Sequence, residues 1–252
     1  MPKWVRNILA IIVIALFSGV FYYFIVRPYS YRWKPCQGQK EYGVCIPCGF
    51  EVHGIDISHY QGEIDWKQLL KSKETDFPVH FVFIKATEGS SLDDDTFERN
   101  FKEARNHGFI RGAYHFFTTK TDPLRQADFF IRNVKLESGD LPPVLDVESV
   151  GKKSKEELQH SIEQWLDRVE SHYGVKPILY TSYKFKTKYL DDARFDEYPY
   201  WIAHYYVDSV KYKGKWHFWQ HTDVGNVPGI EQEVDLNVFN GSLDELKSMT
   251  IR

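Results

Sequence analysis

The stretch Leu141-Pro-Pro-Val-Leu-Asp-Val-Glu148 has the composition of a buried strand and ends in two carboxylates one residue apart, Asp146 and Glu148. Because side chains alternate faces along a strand, we expect both carboxylates to point the same way, with Cα atoms about 6–7 Å apart. We expect this proximity to raise one pKa while the other stays low. Glycoside hydrolysis uses such a pair, with one acid to protonate the leaving oxygen and one anion. Two solvated acids at an exposed strand edge are the alternative interpretation.

Similar strand-like runs flank this stretch on both sides. Including it, they cover residues 54–59, 80–87, 110–117, 142–148, 176–182, 200–205, 216–222 and 234–239. Helical patterns cover residues 65–72, 94–107, 123–134, 155–172 and 242–249. Alternating strands and helices indicate a parallel sheet, and this number of strands favours a closed barrel. Since the later strands leave little room for helices, the predicted fold is α/β: an irregular, TIM-like (β/α) barrel with fewer helices in its second half.

Polar residues recur where these strands end, which is where barrel enzymes place their active sites. The residues concerned are Asp56, Ser58, Lys85, Thr87, Tyr114, His115, Asp146, Glu148, Tyr180, His204, Gln220 and Asp235. Convergence from most of the strands predicts one polar pocket rather than scattered surface groups.

The composition excludes several classes of function. The net charge is −3, and the lysines and arginines are scattered, so nucleic acid is not an expected partner. The sequence lacks an H-E-x-x-H motif, a G-x-S-x-G elbow and a Gly-rich phosphate loop. We therefore expect no metal and no cofactor.

The N-terminal region differs from the rest of the chain. Residues Ile8 to Val26 are uncharged and apolar, and Lys3 and Arg6 precede them. The stretch is just long enough to cross a bilayer of about 30 Å as a helix. No small-x-small cleavage site closes it, so residues 1–27 are predicted to be an uncleaved signal anchor, a transmembrane helix, rather than a cleaved signal peptide.

A neck of residues 28–50 follows and contains all three cysteines, Cys36, Cys45 and Cys48. A disulfide is their expected use in an oxidising compartment. Residues 51–252 are then predicted to form the barrel.

Six sequence blocks carry a resemblance to a known family. In order, they are Gly54-Ile-Asp-Ile-Ser-His-Tyr-Gln-Gly62, Phe83-Ile-Lys-Ala-Thr-Glu-Gly89, Gly112-Ala-Tyr-His-Phe116, Pro143-Val-Leu-Asp-Val-Glu148, Phe218-Trp-Gln220 and Val234-Asp-Leu-Asn237. Together they resemble glycoside hydrolase family 25, the muramidases also called Chalaropsis-type lysozymes. The likeness runs from about His53 to the C-terminus.

The resemblance implies an irregular barrel that cleaves the β-1,4 bond between N-acetylmuramic acid and N-acetylglucosamine in peptidoglycan. It implies that Glu148 is the general acid and that Asp146, Asp56 and Asp235 are the other acids of the site. It also places four residues at groove positions: Tyr114, Tyr180, Trp201 and Gln220. The expected partners are peptidoglycan glycan strands and, through the N-terminal helix, a membrane, with the barrel on the extracytoplasmic side, periplasmic or at the cell surface.

Several roles remain open at this stage. Asp146 either attacks the anomeric carbon or orients the 2-acetamido group of the substrate as nucleophile; the short spacing favours retention, since inversion needs carboxyl groups about 6.5–9.5 Å apart. Asp56 and Asp235 have structural alternatives as a hydrogen-bond acceptor and a strand-end cap. Lys85 either contacts substrate or neutralises the acids in a salt bridge. The aromatic residues either stack on the faces of sugar rings or belong to the hydrophobic core.

Two other functions are also compatible with this sequence. One is a barrel that binds peptidoglycan without turnover. The other is a hydrolase of another acetamido-sugar polymer, such as chitin.

Overall fold

The computed structural model describes residues 2–27, 36 and 38–252, which divide into an N-terminal unit up to Gln37 and a second unit, Gly38–Arg252. In the first unit, helix α1 (Lys3–Phe21) continues through a π-helical segment, Tyr22–Val26. The 24 residues from Lys3 to Val26 have a mean hydropathy of 2.6, and their most apolar window is not buried. By length and composition this helix suits a membrane span, and a signal sequence passes the same test.

The predicted neck is only partly described. Residues 28–35 and 37 lie outside the described residues. Cys36 and Cys45 are disulfide-bonded, as expected for an oxidising compartment. Residues 38–50 belong to the second unit, together with the barrel.

A short hairpin precedes the barrel, with strands β1 (Lys40–Glu41) and β2 (Val44–Cys45). At its turn, Tyr42 is buried and its hydroxyl donates a 2.8 Å hydrogen bond to the main-chain oxygen of Phe77. Ile46 is buried in the same core. The hairpin therefore packs as part of the globular unit.

Eight strands in the described part of the chain close a barrel. They are β3 (Val52–Ile57), β4 (Val79–Glu88), β6 (Ile110–Phe116), β7 (Val144–Asp146), β8 (Ile178–Ser182), β9 (Tyr200–Ala203), β10 (Phe218–Gly225) and β11 (Val234–Phe239), and a two-residue strand, β5 (Leu92–Asp93), pairs with β4. The order around the barrel is β3, β4, β6, β7, β8, β9, β10, β11 and back to β3. The predicted closed α/β barrel is confirmed, and all eight predicted strands are present.

The direction of the last strand differs from the prediction. Strands β3 to β10 of the barrel pair in parallel with one another, whereas β11 runs antiparallel to both β10 and β3. The expectation of a fully parallel sheet was therefore wrong for β11. Only residues 226–233 separate β10 from β11, and this segment is too short for the crossover that a parallel pair needs.

Helices cover the outside of the barrel. They are α2 (Trp66–Leu69), α3 (Phe97–Asn106), α4 (Pro123–Asn133), α5 (Lys155–Tyr173), α6 (Tyr183–Tyr189) and α7 (Leu243–Ser248). The expected capping box of Ser242 and Glu245 is present, and Gly174 ends α5 in the left-handed conformation at φ 70°. Helix α6 was not predicted, because its seven residues directly follow β8 and give too few turns for a periodic pattern.

Aromatic rings fill the lower half of the barrel interior. Phe83 stacks on Trp201 with ring centroids 4.3 Å apart and contacts Phe218 edge-on at 5.1 Å. Gly112 makes room for this layer, since a Cβ at its position would lie 2.6 Å from the Phe83 ring. Gly54 does the same for Phe81, where the corresponding distance is 2.4 Å. Above this layer the inward side chains become polar, and the site begins there.

Candidate active site

A pocket of about 220 Å³ opens at the carboxyl ends of the parallel strands. It is lined by the nine residues proposed as the site, Asp56, Lys85, Tyr114, Asp146, Glu148, Tyr180, Trp201, Gln220 and Asp235. Of the other polar residues expected at the strand ends, Ser58 lines the pocket, whereas Thr87, His115 and His204 do not. Tyr60, Gln61, Phe116 and Tyr205 line it as well. The convergence expected from the strand ends is therefore observed.

Strand register brings the acids together. Asp56 in β3 lies directly opposite Asp235 in β11, and Asp146 in β7 lies opposite Tyr180 in β8. Asp235 stands at the beginning of its strand, not at its end. It reaches the pocket only because β11 runs antiparallel and starts at the edge where the parallel strands finish.

Glu148 does not lie on a strand, because β7 ends at Asp146. The chain nevertheless stays extended through Val147, whose N–H donates to the Tyr180 oxygen at 3.0 Å and whose oxygen accepts from Thr181 Oγ1 at 2.5 Å. Val147 is buried in the core, and Glu148 is exposed at the pocket. The predicted placement on one strand was wrong, although both carboxyl groups do reach the same pocket.

Asp56 is held by two side-chain amides. Its Oδ2 accepts hydrogen bonds from Gln220 Nε2 at 2.8 Å and from Asn237 Nδ2 at 2.7 Å. Three donors fix the orientation of these amides. Tyr180 and Tyr205 donate to Gln220 Oε1 at 2.7 Å and 2.6 Å, and Trp201 Nε1 donates to Asn237 Oδ1 at 2.8 Å. Both NH₂ groups therefore face Asp56.

Comparison with known proteins identifies the family. Residues 55–230 match the family model described as glycosyl hydrolases family 25. This chain is a member of glycosyl hydrolases family 25. Eight of the nine site residues lie within this match, and Asp235 lies beyond its end.

Similar proteins occur among both known sequences and solved structures. The chain is 43% identical over 219 residues to the uncharacterized protein YegX of Escherichia coli (strain K12), which covers 86% of this chain and 79% of YegX. It is 32% identical over 213 residues to Lysozyme M1 of Streptomyces globisporus, with 79% of this chain and 71% of that protein covered. The crystal structure of the bacterial lysozyme from Streptomyces coelicolor superposes with a TM-score of 0.73 at 33% identity, covering 79% of this chain and 96% of the other.

In this family 25 pocket, both members of the acid pair have raised pKa values. Burial raises the pKa of Asp146 well above its usual range, and the charges of Glu148 and Asp56 add to the effect. Burial also raises the pKa of Glu148, while the charge of Lys85 opposes the shift. The expectation that one pKa stays low was therefore wrong, because Asp146 is buried and Glu148, although open to the pocket, is partly surrounded by protein atoms.

Asp56 and Asp235 form a second acid pair. Burial and the neighbouring Asp56 charge raise the pKa of Asp235 to about 9. Burial also raises the pKa of Asp56, to about 6, but the amides of Asn237 and Gln220 and a hydrogen bond from Asp235 favour its ionised form. Near neutral pH the pair therefore holds one proton, on Asp235, which donates it to Asp56.

Lys85 is the cation of this site. It is buried, and its Nζ lies 2.7 Å from Glu88 Oε2. Its charge also lowers the pKa of both Asp146 and Glu148. The salt bridge considered from the sequence is thus present, with Glu88 as its direct partner.

The aromatic residues divide into two groups. Trp201 and Tyr180 are buried at 2% and 6% exposure, and their polar atoms belong to the hydrogen bonds around Asp56. Tyr114 is enclosed among the acids, and burial raises its pKa well above the usual range. Tyr60 is 74% exposed and lines the same pocket. Tyr60 therefore presents the most open ring face to a sugar.

Six residues of this family 25 site were not singled out from the sequence: Asn237, Tyr205, Glu88, Tyr60, Gln61 and Phe116. Asn237 was detectable, because it follows Asp235 by two positions in a strand and so faces the same side. Tyr205 lies beyond the end of β9, and Glu88 follows a register shift in β4. Tyr205 was also detectable, because it lies four positions after Trp201 in the predicted strand 200–205 and so faces the same side, whereas the position of Glu88 does not follow from simple alternation.

The described residues contain no cluster of three or more His, Cys, Asp or Glu side chains suited to a metal ion. The histidines near the rim have other partners. His115 contacts Thr87 Oγ1 at 2.7 Å and Gln126 Oε1 at 3.2 Å, and His59 Nδ1 lies 3.0 Å from Asp94 Oδ2. These contacts are structural.

Proposed function

We propose that this family 25 protein is a muramidase, which cleaves the β-1,4 bond between N-acetylmuramic acid and N-acetylglucosamine of peptidoglycan with retention of configuration. The observation that carries the proposal is the convergence of Asp56, Asp146, Glu148 and Asp235 on one pocket in a chain of this family. Relatives with the same barrel are named as lysozymes.

Glu148 is the general acid in this proposal. It is open to the pocket, and its raised pKa keeps a proton available for the glycosidic oxygen. Protonation of the leaving oxygen lowers the barrier to breaking the bond to the anomeric carbon. Asp146, by contrast, is 7% exposed and lies deeper in the pocket.

Asp146 supports the substrate-assisted route. Its Oδ1 is buried and accepts no hydrogen bond from the described residues. The N–H of a 2-acetamido group is a donor of the kind this oxygen lacks, and such a contact orients the acetamido oxygen towards the anomeric carbon. The charge of Glu148 is one cause of the raised pKa of Asp146, so a proton on Glu148 favours the ionised form of Asp146. That form stabilises the positive charge that develops on the acetamido group, which is the requirement for catalysis. Direct attack by Asp146 is the competing route, and it gives the same stereochemistry.

Asp56 and Asp235 complete the electrostatics of the pocket. Asp56, kept ionised by its amide donors, offers a fixed negative charge to an oxocarbenium-like transition state. Asp235, through its proton, limits the repulsion among the acids. Lys85 reduces it further.

Mass spectrometry of a digest of purified peptidoglycan tests the proposed bond. We expect fragments that end in reducing N-acetylmuramic acid, and NMR of the first-formed product should show the β-anomer. Reducing N-acetylglucosamine would indicate a different bond. Binding to the wall without any fragment would indicate a non-catalytic barrel. A faster rate on chitin than on peptidoglycan would indicate that chitin, and not peptidoglycan, is the preferred substrate.

We also propose that α1 anchors the protein in a membrane with the barrel on the extracytoplasmic side, where peptidoglycan lies. The support is the apolar helix Lys3–Val26 and the disulfide-bonded Cys36 and Cys45. Full-length protein should fractionate with membranes and be degraded by protease added to spheroplasts. Recovery in the soluble fraction as a shortened chain would indicate a cleaved signal peptide instead.

A further inference from the structure

Exposed lysines cluster along one side of the barrel, and the cluster reaches the rim of the pocket at Lys184 and Lys211. Two segments carry them: α6, with the sequence Tyr183-Lys-Phe-Lys-Thr-Lys-Tyr189, and the segment Lys211-Tyr-Lys-Gly-Lys215 between β9 and β10. Five exposed lysines, which we call the lysine surface, form no ion pair with any described residue: Lys184, Lys188, Lys211, Lys213 and Lys215. In a chain with a net charge of −3, this is a local excess of positive charge.

The two segments pack against each other through a buried lysine. Lys186 Nζ lies 5.6 Å from the ring centroid of Tyr212 and donates to Asp196 Oδ1 at 2.8 Å. The charge of Lys186 is therefore compensated inside the fold. Lys184 and Lys188 lie two positions before and after Lys186 in α6. Each is therefore rotated about 200° around the helix axis from Lys186 and faces solvent. In the other segment, Lys211 and Lys213 flank Tyr212.

One end of the lysine surface lies next to the pocket. The ring of Tyr183 stacks on His204 with centroids 4.7 Å apart at 10°. His204 precedes Tyr205, which lines the pocket. Helix α6 begins at the carboxyl end of β8, so its first turn, with Lys184, lies at the rim. The charges of Lys211 and Lys184 both lower the pKa of His204, in addition to the effect of burial, which agrees with their proximity.

We propose that the rim end of the lysine surface, Lys184 with Lys211, binds the carboxylates of the peptide stem attached to muramic acid. The inference rests on the proposed function, because a stem leaving a muramic acid in the pocket must cross the rim. Exposed ammonium groups on flexible side chains suit an anionic peptide whose carboxylates are not held in one geometry. The substrate class is then peptide-bearing glycan with free stem carboxylates, rather than glycan in general.

The test compares two walls that differ only in charge. Purified peptidoglycan is used either untreated or after conversion of its stem carboxylates into amides with carbodiimide and ammonia. Full-length protein in detergent is assayed on both, as wild type, as the double variant Lys184→Gln/Lys211→Gln and as a control, Lys102→Gln/Lys135→Gln. The control removes the same charge from exposed lysines on α3 and in the segment after α4.

We expect wild type and control to hydrolyse untreated wall roughly three- to tenfold faster than amidated wall, in kcat/KM, as expected for two exposed ion pairs. The Lys184→Gln/Lys211→Gln variant should hydrolyse both walls at the lower rate, and high salt should remove the wild-type difference.

A variant as fast as wild type on untreated wall overturns the inference and leaves the muramidase proposal intact. Loss of binding to vesicles of anionic phospholipid with unchanged wall hydrolysis also overturns it, in favour of a membrane-facing surface. Absence of hydrolysis by wild type on either wall refutes the proposed function itself.

Discussion

At the scale of single residues, the pocket holds four carboxyl groups whose protonation differs because their surroundings differ. Glu148 is open to solvent and close to Lys85, whereas Asp146 is buried with one oxygen unpartnered among the described residues. Asp56 has amide donors, and Asp235 has the proton. The surroundings of Glu148, Asp56 and Asp235 each predict a distinct effect of substitution.

Replacing Glu148 by Gln keeps the shape of the side chain and removes the transferable proton. General acid catalysis contributes about 10²–10⁴-fold, so hydrolysis of peptidoglycan should fall by at least that factor, while the melting temperature stays near that of wild type. The exposed Glu156→Gln in α5 is the matched control and should remain active. Near-normal turnover by Glu148→Gln would remove this residue from the mechanism.

Replacing Asn237 by Ala removes a hydrogen bond that favours the ionised form of Asp56. The pKa of Asp56, about 6 in the native protein, should rise further. The acidic limb of the profile of kcat/KM against pH should therefore move to higher pH. Asn133→Ala on the exposed end of α4 serves as control. A uniform loss of activity with an unshifted profile would mean that Asn237 only supports the fold.

Replacing Asp235 by Asn should stabilise the protein increasingly as pH rises. The pKa of Asp235 is about 9 in the folded protein and near 3.8 in the unfolded chain. Between these values the folded state keeps a proton that the unfolded state releases, so wild-type stability falls with rising pH and the variant escapes this loss. The melting-temperature difference between variant and wild type should grow from pH 5 to pH 9, and a constant difference would contradict the raised pKa.

At the scale of elements, the site depends on the aromatic layer beneath it. Gly112 in β6 faces the Phe83 ring, and a Cβ there would also lie 3.2 Å from Leu141 Cβ. Phe83 stacks on Trp201, whose indole N–H orients Asn237. Crowding at Gly112 is thus transmitted to the donors of Asp56.

Gly112→Ala should destabilise the protein by roughly 1–3 kcal/mol through overpacking and should lower activity. Adding Phe83→Leu, which shortens the ring side chain that the new methyl group meets, should recover part of the loss in a urea denaturation experiment. If the double variant is less stable than the sum of the two single changes, Phe83 is not the residue that is crowded.

At the scale of the whole molecule, residues just before the predicted barrel also belong to the hydrophobic core of the globular unit. Tyr42 and Ile46, within the predicted neck, are exposed by only 7% and 2%. Full burial of an apolar side chain such as that of Ile46 contributes about 1.5–3 kcal/mol. The compact unit begins at Gly38 rather than at residue 51.

Two shortened proteins test this boundary. One that starts at residue 28 and one that starts at Gly49 should both be soluble and active on isolated wall, since neither contains α1. The shorter protein should unfold at a lower urea concentration because it lacks Tyr42 and Ile46. Equal midpoints would show that the hairpin adds nothing to the stability of the barrel.

The sequence by itself determined where the strands lie along the chain, the closed barrel and the nine site residues named in advance. Those features are carried by local patterns: apolar runs with polar ends, helix caps such as Ser242 with Glu245, and motifs whose residues are adjacent in the chain. Such signals do not depend on what the rest of the molecule does. The strand ends therefore indicated the pocket without any knowledge of distances.

Only the tertiary structure decided how those residues act on one another. The Asp56–Asn237 hydrogen bond joins residues 181 positions apart, and the direction of β11 sets Asp235 against Asp56. The raised pKa values of Asp146 and Glu148 come from burial, which depends on surrounding chain rather than on their two-residue spacing. Hydrogen-bond partners and exclusion of water are properties of the folded chain, so no local pattern specifies them.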